Sequence, residues 1–99
     1  MWESVIHLGK KHGYKKNATI IGNGMVIDNL YYLQSGKVRL SKILPDGTEK
    51  IVWYLEKNNL FGETPFWDRK PMEGVFVAVE ESVVYSFSRS CIEQEILLR

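Results

Sequence analysis

The sequence predicts a mainly β fold, a sandwich or barrel of roughly seven or eight short strands. Three observations carry this. β-branched and aromatic runs recur between turn residues along most of the 99 positions. The composition, 44% hydrophobic and 12% aromatic, suits a globular chain rather than a disordered one. An Asp46-Gly47 pair, a strong hairpin signal, separates two such runs.

In chain order, "GYKKNATIIGNGM" supplies one or two shorter strands, around Tyr14 and over Thr19–Ile21. "NLYYLQSGKVRLSKIL" predicts a strand over about Leu30–Gln34, a turn at Ser35-Gly36 and a strand from Lys37 to Leu44. In the second strand Val38, Leu40 and Lys42 alternate with Lys37, Arg39 and Ser41, close to period two. The turn Pro45 to Thr48 leads into a returning strand, Glu49–Leu55. Gly74–Val79 and Ser82–Phe87 form another pair, joined by Glu80-Glu81, and adjacent acids at such a tip are ordinarily solvated. Ser90-Cys91-Ile92-Glu93 reads as a capping box that opens a helix over Cys91–Arg99. Ile92, Ile96 and Leu97 share one face of that helix, which is too short to stand alone and must dock. An apolar helix that stops in mid-pattern gives the expectation of a longer protein. Its uncovered flank, with Trp2, Val5 and Ile6, gives the expectation of a weak homodimer.

The totals narrow the function classes. The length suits one small domain, residues 1–99. A net charge of +1 gives no footprint for wrapping DNA or coating a membrane. Lys10-Lys11 and Lys15-Lys16 read as a solvated face. No apolar run approaches the roughly 18 residues that span a bilayer, and the N-terminus lacks the apolar region of a secretory signal. A single cysteine, Cys91, rules out internal disulfides and multi-cysteine metal sites, and fits a cytoplasmic location. Its thiol would need exposure and a lowered pKa for a redox role. His7 and His12, both early, build neither a catalytic triad nor a metal site, so no catalytic residue, metal or cofactor is expected. Phe66, Trp67, Trp53, Tyr54, Tyr31 and Tyr32 read as core and rim aromatics.

From about Tyr14 to Leu98 the chain resembles the cyclic-nucleotide-binding β-roll of the cyclic AMP receptor protein and fumarate–nitrate regulator (Crp/Fnr) family. "LYYLQSGKVRLSKILPDGTEKIVWYL" resembles its central hairpins, "NNLFGE" the entry to its phosphate-binding cassette, and "AVEESVVYSFSRSCIEQ" the strand pair and helix that follow. The resemblance implies a double-stranded β-helix (jelly roll) with short flanking helices. It implies an effector-sensing domain of a transcription regulator. The family's dimerisation helix and helix-turn-helix domain are absent from this chain, so DNA would be reached only through that absent region.

The resemblance also implies an effector site at Phe61, Gly62, Glu63, Thr64, Met72 and Glu73. In the family, the cassette glycine and the amides after it approach a cyclic phosphate, the acid matching Glu63 accepts from a ribose hydroxyl, and an arginine and a hydroxyl residue complete the grip. Gly62 and Glu63 match; the arginine position falls on Met72 and the hydroxyl position on Glu73. A guanidinium holds phosphate bidentately, Met72 supplies neither charge nor donor, and Glu73 sets an anion against an anion. Losing such a partner costs about 2–5 kcal/mol. Arg69 and Lys70 are the nearest substitute cations, and exposed turn cations are ordinarily solvated. Gly62 also has a purely structural reading as a tight-turn residue, and Glu63 one as a helix first-turn acid. Three rivals stand beside the sensor: a standalone cyclic-nucleotide-binding protein, a cupin-like metal enzyme, and a roll kept only as an interaction scaffold.

Overall fold

The computed structural model describes residues 5–97. A 3-10 turn, Ile6–Leu8, precedes eight strands: β1 Lys10–Tyr14, β2 Thr19–Ile21, β3 Asn29–Ser35, β4 Val38–Ile43, β5 Glu49–Leu55, β6 Asn59–Phe61, β7 Val75–Ala78 and β8 Ser82–Ser88. A short helix, α1 (Glu63–Asp68), stands between β6 and β7. After β8 a helical turn, α2 (Arg89–Cys91), widens into π-helical winding over Ile92–Leu97.

The strands form two four-stranded antiparallel sheets, ordered β1-β8-β3-β6 and β2-β7-β4-β5. Alternation sets what each sheet buries. Leu33 and Val84 pair across β3 and β8 and are both fully buried, as is Val38 on β4. Phe61 of the first sheet meets Phe76 of the second at 5.1 Å between ring centroids, so the two sheets close on one core. Leu30 and Phe87, paired three positions further along the same ladder, alternate to the opposite face of the first sheet. The first and last described segments pack on the same core there. Gly9 lies so close to the Phe87 ring that a Cβ would stand 2.8 Å from it, and Ile92 is buried. The Cys91 thiol points to the Leu8 carbonyl at 3.7 Å.

The mainly β roll expected from the sequence is what forms, and the Asp-Gly hairpin turns where predicted. Leu44 and Thr48 close it with a 2.8 Å backbone bond, and Asp46 Oδ1 accepts from the Thr48 amide and hydroxyl at 3.0 and 2.7 Å. Four details differ. A strand not foreseen, β6, uses Asn59-Leu60-Phe61 to pair with β3, a stretch too short to show a period. In β4 the period-two reading fails past Leu40: Ser41 is buried and Lys42 is exposed. β7 pairs with β4 only over Val38–Ser41, so beyond that point β4 and β5 run on as a two-stranded ribbon with little to bury against. The helix cap is Ser88, not Ser90: Ser88 is extended (φ −64°, ψ 158°) and its hydroxyl accepts from the Cys91 amide at 3.1 Å. The helix therefore begins at Arg89, two residues ahead of the predicted start. The side chains of Ile96 and Leu97, and residue Trp2, lie outside the described residues.

Most of the exposed large apolar side chains lie on the β4–β5 hairpin, while Met25, Val26 and Trp67 are exposed elsewhere. Trp53, Tyr54, Ile51, Val52, Ile43 and Leu44 are all open to solvent, and β5 is a sheet edge. Among the described residues no helix is long and apolar enough to cross a membrane.

Candidate functional site

The site is built where β6 turns into α1. Gly62 makes that turn with a left-handed backbone (φ 77°, ψ 12°), and its carbonyl accepts from the Phe66 amide at 3.1 Å. A Cβ there would sit 3.3 Å from Ile21 Cδ1 and 3.4 Å from Tyr31 Cδ2, so both angle and space select glycine. Phe66 anchors α1 with a fully buried ring, and Trp67 packs edge-on to it at 4.9 Å while half exposed. α1 stops at Arg69, itself left-handed (φ 57°), whose amide donates to the Pro65 carbonyl at 3.0 Å.

The chain then returns along the loop between β2 and β3. Pro71 bridges Val26, the Met72 amide donates to the Met25 carbonyl at 2.7 Å, and the Gly24 amide donates to the Met72 carbonyl at 2.8 Å. These bonds fix the Met72 backbone, and its side chain is buried, only 6% exposed. Gly74 follows with φ 108°, where a Cβ would overlap the Ser41 carbonyl, and its amide donates to Asn23 Oδ1 at 2.8 Å.

Between α1 and this returning segment lies a cleft of about 360 Å³. Gly62, Glu63, Thr64, Pro65 and Asp68 form one wall, Lys70, Pro71, Met72 and Glu73 the other, with Leu40 and Phe76 beneath. Five of the six residues singled out in the sequence therefore meet at one place. The sixth, Phe61, does not line it: its ring is 1% exposed and stacks on Tyr31 at 5.4 Å. Of the two candidate substitute cations, Lys70 lines the cleft and Arg69 does not. Sequence reasoning missed Asp68 as a wall residue and Leu40 and Phe76 as the floor. The inward alternation of β4 was the available signal for Leu40; nothing local marks the other two.

The electrostatics of the cleft are lopsided. Glu63, Asp68 and Glu73 are exposed, and none is in an ion pair among the described residues. Beside the cleft, burial pushes the Tyr31 phenol above its usual value; a neighbouring Tyr14 adds to this, and a hydrogen bond with Asn29 opposes it.

Arg89 ties α1 to the far end of the fold. Its Nη2 donates to the Phe66 carbonyl at 2.6 Å, its Nε to Asp28 Oδ1 at 2.9 Å, and its guanidinium sits 4.1 Å from the Phe66 ring centroid. The same residue opens α2, so one side chain spans from the cleft helix to the C-terminal helix.

The other candidate chemistry is dispersed. His12 Nε2 pairs with Ser86 Oγ at 3.0 Å, and no group of three or more His, Cys, Asp or Glu side chains among the described residues could hold a metal ion.

Comparison with known proteins decides the family. The profile of the cyclic nucleotide-binding domain matches residues 11–97. The chain belongs to this family. Among curated proteins it is similar to the CRP-like cAMP-activated global transcriptional regulator of Mycobacterium tuberculosis, 26% identical over 83 residues, which are 84% of this chain and 37% of that one. Among solved structures it is similar to the Thermus thermophilus catabolite activator protein, with a TM-score of 0.83, 26% identity, and coverage of 97% of this chain and 47% of that one. A transcriptional regulator from Thermotoga maritima superposes with a TM-score of 0.92 over the whole chain at 12% identity, covers 78% of its own length, and shares the fold. The chain thus spans well under half the length of the curated relatives it matches. The roll predicted from the sequence is the cyclic nucleotide-binding fold of Crp/Fnr-type regulators.

Proposed function

We propose that this domain is the effector-sensing part of a Crp/Fnr-type transcription regulator, that it is not an enzyme, and that it holds cyclic nucleotides weakly. One observation carries the last point. The family places its phosphate-binding arginine where this chain has Met72, and Met72 is a buried thioether in the cleft wall with the Glu73 carboxylate beside it. Neither gives a phosphate a charge-assisted donor, and Lys70, an exposed cation on the opposite end of that segment, offers a point charge without the bidentate fork.

Sensing works by population shift. An effector that wedges between α1 and the Pro71–Glu73 segment favours one placement of α1, and Arg89 passes that placement to α2. DNA contact falls to a region outside these 99 residues, and the cytoplasm is the compartment that suits a regulator with one free thiol. A second reading, a standalone cyclic-nucleotide-binding module, is favoured by Gly62 and Glu63, which match the family's cassette by resemblance and line the cleft.

A thermal-shift screen of the purified chain against a metabolite library containing cyclic AMP and cyclic GMP separates these. The sensor reading expects a hit outside the cyclic nucleotides. A shift by the cyclic nucleotides alone supports the second reading, and no shift from any compound contradicts both.

A further inference from the structure

The charge of the cleft is opposite to the one a phosphate needs, and the sign is local. The whole chain has a formal charge of +1. The cleft lining carries Glu63 and Asp68 from the two ends of α1 and Glu73 from the facing wall, against Lys70 alone. Three negative charges and one positive leave the lining at net minus two. Exposed carboxylates are ordinarily just solvated. Here they converge from two separate segments on one concavity, unpaired among the described residues. The rest of the lining is apolar: Met72 in the wall and Phe76 in the floor are 6% and 5% exposed, and Leu40 completes it. The volume, about 360 Å³, is at the small end of the range for small-molecule pockets.

Resting on the reading of this cleft as the effector site, we propose that its ligand is a small organic cation with an apolar body: an amine or guanidine on an aromatic ring or short hydrocarbon. The body lies on Leu40, Met72 and Phe76, where the Met72 sulfur offers a polarisable contact to a ring. The cationic head sits at the rim among the three carboxylates. Lys70 tempers the field on one side. With charges about 7 Å apart in a high dielectric, screened over about 8 Å at physiological salt, a net minus two separates a cation from a matched anion by about fivefold, and by more at low salt.

The test uses three probes of one shape and different charge: phenethylamine, phenylacetate and 2-phenylethanol. Each is titrated into the isotopically labelled chain, and amide shifts at Glu63, Thr64 and Glu73 are followed at low and at physiological salt. The expected result is that phenethylamine binds at least fivefold tighter than phenylacetate, that the gap widens at low salt, and that Glu73→Gln narrows it. Equal or tighter binding of phenylacetate overturns the cationic class while leaving an effector cleft standing. If binding of the amine is indifferent to both salt and Glu73→Gln, the charge assignment is likewise wrong. If none of the three probes moves the cleft amides at millimolar concentration, the cleft does not take a ligand of this class at all; if the metabolite screen is also blank, the effector reading itself fails.

Discussion

Removing the guanidinium of Arg89 should destabilise the domain more than any other single change at its surface. Arg89 is 14% exposed, and its side chain makes two hydrogen bonds and one ring contact. The bond to the Phe66 carbonyl, 2.6 Å long and partly buried, is charge-assisted and contributes about 1.5–3 kcal/mol. The contact with the Phe66 ring adds about 0.5–2 kcal/mol. The pair with Asp28, which is 78% exposed, adds at most about 1 kcal/mol. These values are not additive; about 3 kcal/mol is the expected cost of Arg89→Ala, which lowers Tm by about 12–24 °C in a domain of this size. Urea denaturation at constant m-value measures it. Asp28→Ala should cost under about 1 kcal/mol, and Arg89→Lys should fall between, because an ammonium cannot make both bonds and cover the ring. An Arg89→Ala variant within about 0.5 kcal/mol of wild type, the range of an unremarkable surface change, would refute the idea that this side chain clamps α1 to α2. So would an Asp28→Ala cost equal to that of Arg89→Ala.

Gly62→Ala should lose about 1–2 kcal/mol from its left-handed backbone alone, with a further cost from the 3.3 Å approach to Ile21, and calorimetric melting reads the sum. The Asp46 carboxyl is held below its usual range by the Thr48 hydroxyl and amide, so its contribution to the hairpin is present above the unfolded value of 3.8 and fades as pH falls through the lower folded one; the Thr48 amide resonance should move in that acid window and stay flat above it. Sedimentation at tens of micromolar should show weak self-association that Ile51→Lys with Trp53→Lys abolishes, because the edge strand β5 exposes Ile51, Val52, Trp53 and Tyr54 side by side; a monomeric wild type contradicts this.

What was legible in the sequence followed from local chemistry. Asp46-Gly47 specified its turn because a left-handed glycine after an aspartate needs no tertiary help, and Gly47 has φ 88°. Gly62 could be read as a tight-turn residue and Glu63 as a first-turn acid from local chemistry too, but the strand that leads into them, β6, could not. Ser41 could not be foreseen as buried, because its burial depends on Gly74, 33 positions later in sequence, bringing its backbone against the Ser41 carbonyl. Ser88 and Ser90 are both competent caps, and only the length of β8 decides between them. Phe61 shares its sequence neighbourhood with the site yet faces the core, since alternation within β6 points it at Phe76. Asp68 and Lys70 join the cleft through the left-handed stop at Arg69, a non-glycine residue that carries no such signal.

The central claim, a sensor whose cleft has lost its grip on cyclic phosphate, is tested most directly by isothermal calorimetry of cyclic AMP and cyclic GMP. Wild type is compared with Met72→Arg, Glu73→Ser. Wild type should show no low-micromolar Kd for either nucleotide, and the double variant should bind at least about thirtyfold tighter, the lower bound for restoring one charge-assisted partner worth about 2 kcal/mol. A low-micromolar Kd for the wild type contradicts the claim.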